Sequence, residues 1–99
     1  MFDIVFSRAA QEKLEKLEKD PSRAGIVKQI KKTLGFLQTN PRHPSLHAHE
    51  YSSMPHPFHA GEKVLEAYVQ NQTPNAYRIF WCYGPDKKQI TIIAITPHP

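Results

Sequence analysis

A single cysteine, Cys82, leaves this chain without an internal disulfide and without any multi-cysteine zinc site. So little use of thiols suits a reduced, cytoplasmic setting. No apolar run approaches the roughly 20 residues that span a bilayer, so no membrane partner is expected. Met1-Phe2-Asp3-Ile4-Val5-Phe6 carries an early acid and no basic segment, unlike a secretory leader. There is no internal repeat, and 99 residues leave no room for a second domain. Residues 1–99 are therefore read as one domain.

Hydrophobic residues make up 39% of the chain and aromatics 10%, enough for one compact core and too many for a disordered chain. Thirteen Lys and Arg exceed nine Asp and Glu, giving a net charge of +4, and six histidines are added to that. A basic surface favours a polyanion or an acidic protein partner, through steering and counterion release.

Residues 2–6 alternate apolar and polar and predict a first strand. Ser7 offers an N-cap hydroxyl to a helix over about 8–19, in which Ala10, Leu14 and Leu17 recur at helical spacing. Glu12–Lys16 and Glu15–Lys19 are i,i+4 pairs on its solvated face. Asp20-Pro21 stops that helix and starts another over about 21–38, striped by Ile26, Val27, Ile30, Leu34 and Leu37. Lys28, Lys31 and Lys32 lie off the stripe.

At Asn40 the pattern changes. A His/Pro-rich loop over 40–63 contains His43, His47, His49, His56 and His59 and has neither helical nor strand periodicity. Three strand patterns follow. Residues 64–70 put Leu65, Ala67 and Val69 on one face, with Glu66, Tyr68 and Gln70 on the other. Residues 77–83 put Tyr77, Ile79, Trp81 and Tyr83 on one face and Arg78, Phe80 and Cys82 on the other. Residues 89–96 are apolar on both faces, as a central, doubly covered strand would be. The order β-α-α-β-β-β predicts an α+β fold with two helices on one face of a small antiparallel sheet. The other sheet face is expected to be open, carrying Glu66, Tyr68 and Arg78.

Three stretches in this order resemble the RelE/ParE superfamily of type II toxin–antitoxin toxins. They are Phe6-Ser7 with Ala10 leading into a Leu-rich helix, Ala76-Tyr77-Arg78-Ile79-Phe80-Trp81, and the closing strand Ile90 to Thr96 with Pro97 and His98. The resemblance spans nearly the whole chain. It implies a RelE-like, microbial-ribonuclease-type fold and an mRNA endoribonuclease, commonly acting on the ribosome, that inhibits translation. It also implies a cognate antitoxin as partner and no cofactor or metal: the RNA 2′-hydroxyl attacks the neighbouring phosphate. A base takes the 2′-proton, a cation steadies the phosphate and an acid protonates the leaving 5′-oxygen.

On this resemblance Arg78 takes the place of the phosphate-binding arginine, whose planar fork suits a phosphate. The competing role is a structural cross-strand pair with Glu66. His98 takes the position of a basic or His residue after the last strand, and an imidazole can act as acid or base near neutral pH. Cations are missing from the second strand, where this chain has Glu66, Ala67 and Tyr68. Other branches of the superfamily use histidines and carboxylates just before that strand, which makes His49 or Glu50 a candidate base. The candidate catalytic set is His49, Glu50, Arg78 and His98; His47, Tyr68 and Arg78 are the candidate RNA contacts. Two readings compete. One is a silent or ParE-like member that binds RNA, gyrase or a protein without cleavage. The other is a metal module built from His43, His47 and His49.

Overall fold

The computed structural model describes residues 1–70 and 75–97. Within them, strand β1 (Asp3–Phe6) leads into helix α1 (Arg8–Glu18), a 3-10 turn at Pro21–Arg23 and helix α2 (Ala24–Thr39). A second 3-10 turn at Pro44–Leu46 precedes β2 (His49–Glu50), β3 (Leu65–Tyr68), β4 (Tyr77–Tyr83) and β5 (Gln89–Pro97).

Local chemistry sets the helix ends. The Ser7 hydroxyl accepts from the Ala10 amide at 3.0 Å, satisfying one of the donors a helix start leaves open. Asp20 likewise accepts from the Ser22 amide and hydroxyl, at 3.0 and 2.7 Å, with Pro21 at the first position of the following turn. The second helix was expected to begin at Pro21; the first turn is instead 3-10 and the α-helix starts at Ala24. A tighter first turn is a common way for a helix to begin. Gly35 does not interrupt α2, which continues to Thr39. An ion pair at 3.0 Å joins Lys31 to Glu18 across the two helices; exposed as it is, it adds about 1 kcal/mol at most.

Among the described residues the sheet has five strands, in the order β1-β5-β4-β3-β2. The fold is α+β with two helices on one face, as expected, but the sheet is mixed. β1 runs parallel to β5, while the other three pairings are antiparallel. The helical pair between β1 and the rest of the sheet supplies the crossover that a parallel neighbour requires. The apolar β5 is an interior strand, hydrogen-bonded on both edges by β1 and β4, as its pattern predicted.

A β-bulge interrupts the β4–β5 register: Phe80 pairs with Ala94 and Trp81 with Ile92, leaving Ile93 as the extra residue. The Ser7 hydroxyl donates to the Ile93 carbonyl at 2.7 Å, so one serine both caps α1 and ties it to the bulge. The core lies between the helices and the sheet face of Ala67, Ile79, Trp81, Ile90, Ile92 and Ile95, packed against Ala10, Leu17, Ile30 and Leu37. Truncating a fully buried member such as Ile79 to alanine costs about 2–5 kcal/mol.

The opposite sheet face is only partly open. Tyr51 packs on Phe80 with ring centroids 4.7 Å apart, and the loop after it covers the Phe80–Cys82 end. His56 pins that loop from within: its Nδ1 accepts from the Phe58 and His59 amides, at 3.1 and 3.0 Å. The physical reason is visible in β4 itself, since Phe80 and Cys82 are apolar and need cover on that side.

Candidate functional site

The uncovered end of this face gathers residues from three strands. Tyr68 on β3 stands directly opposite Arg78 on β4, and Glu66 on β3 stands directly opposite His49 on β2. The Arg78 guanidinium lies 3.8 Å from the centre of the Tyr68 ring. This cation–π stack contributes about 0.5–2 kcal/mol. Its Nη1 donates to the Gln70 carbonyl at 2.8 Å and to the Tyr77 carbonyl at 3.2 Å, and its Nε faces Glu66 Oε2 at 3.8 Å. Arg78 is only 7% exposed and Glu66 only 3%. The expected open display of both side chains is therefore corrected: a charge on an otherwise apolar β4 is drawn into a stacked, hydrogen-bonded, ion-paired seat.

His49 is different. Its side chain is 48% exposed, and it meets the buried Glu66 through Nε2 and Oε1 at 2.7 Å. Its Nδ1 lies 2.9 Å from the carbonyl oxygen of His47. His47 closes the preceding 3-10 turn in the left-handed region, at φ 47°, which turns the chain into β2. The His47 and Tyr68 ring centroids are 5.0 Å apart, and those of His49 and Tyr68 are 6.0 Å apart, edge to face. Tyr68 thus sits among Arg78, His47 and His49.

Glu50 does not join them. It pairs with Leu65, and strand alternation puts it on the opposite face from His49 and Glu66. His98 lies outside the described residues. His43 is also elsewhere, stacked on Phe36 at 4.1 Å with its Nδ1 accepting from the Ser45 amide. Among the described residues no group of three His, Cys, Asp or Glu side chains gathers as a metal site would need. Cys82 belongs to the covered end, where burial first and the Glu62 charge second push its thiol up to about 11.

The residue missed in the sequence as a member of the site is Glu66, which was expected on the open face and as a possible partner of Arg78 but not among the candidate site residues. The signal was present: a lone carboxylate in Val64-Leu65-Glu66-Ala67-Tyr68-Val69, on the same alternation as arginine in the next strand. A charge buried in that setting needs partners. Beside the site, across β3, a groove of about 510 Å³ is lined by Leu65, Trp81 and Tyr83 together with Arg42, Lys63 and His47. Its charged side chains are all cations. No helix among the described residues is long and apolar enough to cross a membrane.

No protein-family model matches the chain. No curated protein sequence matches it significantly. Solved structures do match. A YoeB/ParE toxin from Agrobacterium tumefaciens superposes with a TM-score of 0.69 at 12% identity, over 100% of both chains. The YoeB dimer from Staphylococcus aureus gives 0.65 at 17% identity, covering 99% of this chain and 98% of the other. The intact Escherichia coli RelBE toxin–antitoxin complex gives 0.64 at 16% identity, covering 100% and 99%. The chain therefore has the fold of the YoeB and RelE toxins along essentially its whole length.

Proposed function

We propose that this chain is the toxin of a type II toxin–antitoxin pair, a member of the RelE/ParE superfamily that cleaves mRNA, with the ribosome presenting the substrate. The observation that carries the reading is the cluster on one end of the sheet face. A half-exposed imidazole, His49, and an arginine, Arg78, flank the same tyrosine ring, on the fold of RelE and YoeB toxins. Phosphodiester cleavage by an RNA's own 2′-hydroxyl needs a cation near the phosphate and groups that move protons at two oxygens. Arg78 supplies the cation and His49 one proton-transfer group. His47, exposed, offers a ring face to a flanking base, and Tyr68, stacked against Arg78, backs it, as aromatic platforms do for single-stranded RNA. His98 is the candidate for the second proton transfer. The net charge of +4 and the cations of the neighbouring groove favour a polyanion. An antitoxin protein is the expected partner; the E. coli neighbour is itself a toxin–antitoxin complex.

In this reaction the 2′-oxygen forms a bond to phosphorus as the bond to the 5′-oxygen breaks. The 2′-proton goes to the base and the acid returns one to the 5′-oxygen. The products are a 2′,3′-cyclic phosphate and a free 5′-hydroxyl. The test is incubation of the protein with mRNA and ribosomes, with and without a chelator under conditions that separately keep the ribosomes intact, followed by mapping of the new ends. Cleavage with these ends in both arms is the expected result. Cleavage lost on chelation, or 5′-phosphate ends, overturns it.

One observation favours the second reading, a silent binder. Arg78 has Nη1 committed to two carbonyls and Nε to Glu66, so much of its fork is already engaged. Growth arrest on induction without any new RNA ends would select that reading.

A further inference from the structure

We infer that Glu66 is the positioning residue of the site, a buried carboxylate that orients His49 and holds it as a proton donor while seating Arg78. This rests on the proposed ribonuclease reading for its catalytic consequence, but not for its geometry. Three observations converge. Glu66 Oε1 meets His49 Nε2 at 2.7 Å, within the short range of charge-assisted bonds. The carboxylate is 3% exposed and fixed on a strand, whereas the imidazole is half-exposed and faces outward. The second carboxylate oxygen faces Arg78 Nε at 3.8 Å, so one side chain holds both groups.

The roles of the two ring nitrogens follow from their partners. A carbonyl oxygen only accepts, so Nδ1 carries a proton when it bonds the His47 carbonyl. With Nε2 donating to the Glu66 carboxylate, the ring protonated on both nitrogens is the form that makes both bonds at once. Of the two bonds, the one to His47 is the exposed one, and the one to Glu66 is partly buried. Nδ1 is thus the nitrogen that can trade its partner for a substrate oxygen. Donation breaks the Nδ1–H bond and forms the O–H bond of the leaving 5′-hydroxyl. The nitrogen keeps the electron pair, leaving the Nε2–H tautomer still anchored on Glu66. The carboxylate changes neither bond order nor protonation; it acts through His49 and touches no reacting atom. An imidazole held this way needs no reorientation at the moment of proton transfer.

The test combines two readouts on the full chain. In 15N-labelled protein, the Nε2 proton of His49 is expected as a downfield, slowly exchanging signal that shifts and exchanges faster in Glu66→Gln, an isosteric change that keeps an acceptor but removes the charge. In the cleavage assay, Glu66→Gln is expected to lower kcat by about 10- to 100-fold with little change in KM, as loss of a carboxylate behind a functional histidine does. In a His49→Ala background the same change should lower kcat clearly less, because the action through His49 is already lost and only the seating of Arg78 remains. Glu66→Asp, which keeps the negative charge beside Arg78 but draws it back by one methylene, serves if Gln fails to fold; it too is expected to lower kcat and move the His49 signal. An unchanged His49 signal in these variants overturns the proposal. So does an equal loss of kcat in both backgrounds, the mark of a carboxylate that does not act through His49. A wild-type protein that cleaves nothing yet shows the Glu66-dependent His49 signal sinks the ribonuclease reading and keeps the positioning one.

Discussion

His49 and Glu66 stand directly opposite each other in the β2–β3 ladder, and their side chains are joined at 2.7 Å. One residue further on, Glu50 opposes Leu65 and faces away. A two-residue strand thus decides which of two adjacent polar residues enters the site.

That alternation predicts a sharp split between neighbours. His49→Ala should lower the rate of RNA cleavage by about 100-fold or more, the range that an acid–base group supplies. Glu50→Ala should leave the rate near wild type. Single-turnover cleavage of one mRNA by both variants checks this, and equal losses would place the acid–base chemistry elsewhere.

Arg78→Ala should cost the domain about 2–4 kcal/mol, because it removes the stack on Tyr68, two hydrogen bonds to backbone carbonyls and the ion pair with Glu66. Arg78→Lys should recover part of the stability and little of the cleavage, since an ammonium cannot serve two carbonyls, a carboxylate and a phosphate from one planar fork. Urea denaturation read beside the cleavage assay separates the two effects. Full stability in Arg78→Ala would show that the seat around Glu66 is not closed.

Cys82 has a thiol pushed up to about 11 from 9.0, chiefly by burial. At pH 8 its thiolate should be about a hundredfold scarcer in the folded protein than in the unfolded chain. A thiol reagent should therefore label native protein far more slowly than protein in urea. The sign for stability follows. Between pH 9 and 11 the folded state keeps a proton that the unfolded state has lost, so stability falls as pH rises through that window. Rapid native labelling at pH 8 would place Cys82 outside the covered end.

Asp20 is the opposite case. Its carboxyl is held below the ordinary 3.8 by the Ser22 hydroxyl first and the Ser22 amide second, with Arg23 adding a smaller contribution in the same direction. A depressed carboxyl contributes stability that is present above the unfolded value and lost as pH falls through the folded one. Asp20→Ala should lower the melting temperature at pH 7, and the gap to wild type should close as the pH falls below about 3.8. A gap that stays constant with pH would assign the effect to the turn and not to the charge.

The aromatic and β-branched run 77–83 placed β4 from Tyr77 to Tyr83, and the two-residue period of a strand sorted its faces, because both are local properties. The helix stripes, the Ser7 cap and the doubly apolar last strand were legible for the same reason. So was a resemblance to the RelE/ParE superfamily, whose fold the solved structures share at 12% to 17% identity. His49 and Arg78 could be singled out because their side chains carry the right chemistry wherever they fall.

Their arrangement was a different matter. The chain from Asn40 to Lys63 has no period, so nothing local said that His49 would pair with Glu66 or that Tyr51 would cover Phe80. Nor did β1 announce a parallel partner, since the direction of pairing depends on how the helices return the chain to the sheet. By itself the sequence determined the elements, their buried faces and the chemical types available, all of which depend on residues a few positions apart. Only the tertiary structure decided that Glu66 lies between His49 and Arg78. That carboxylate joins groups 17 and 12 residues away, and its placement follows from strand register and from the need to pair every charge that folding takes out of water.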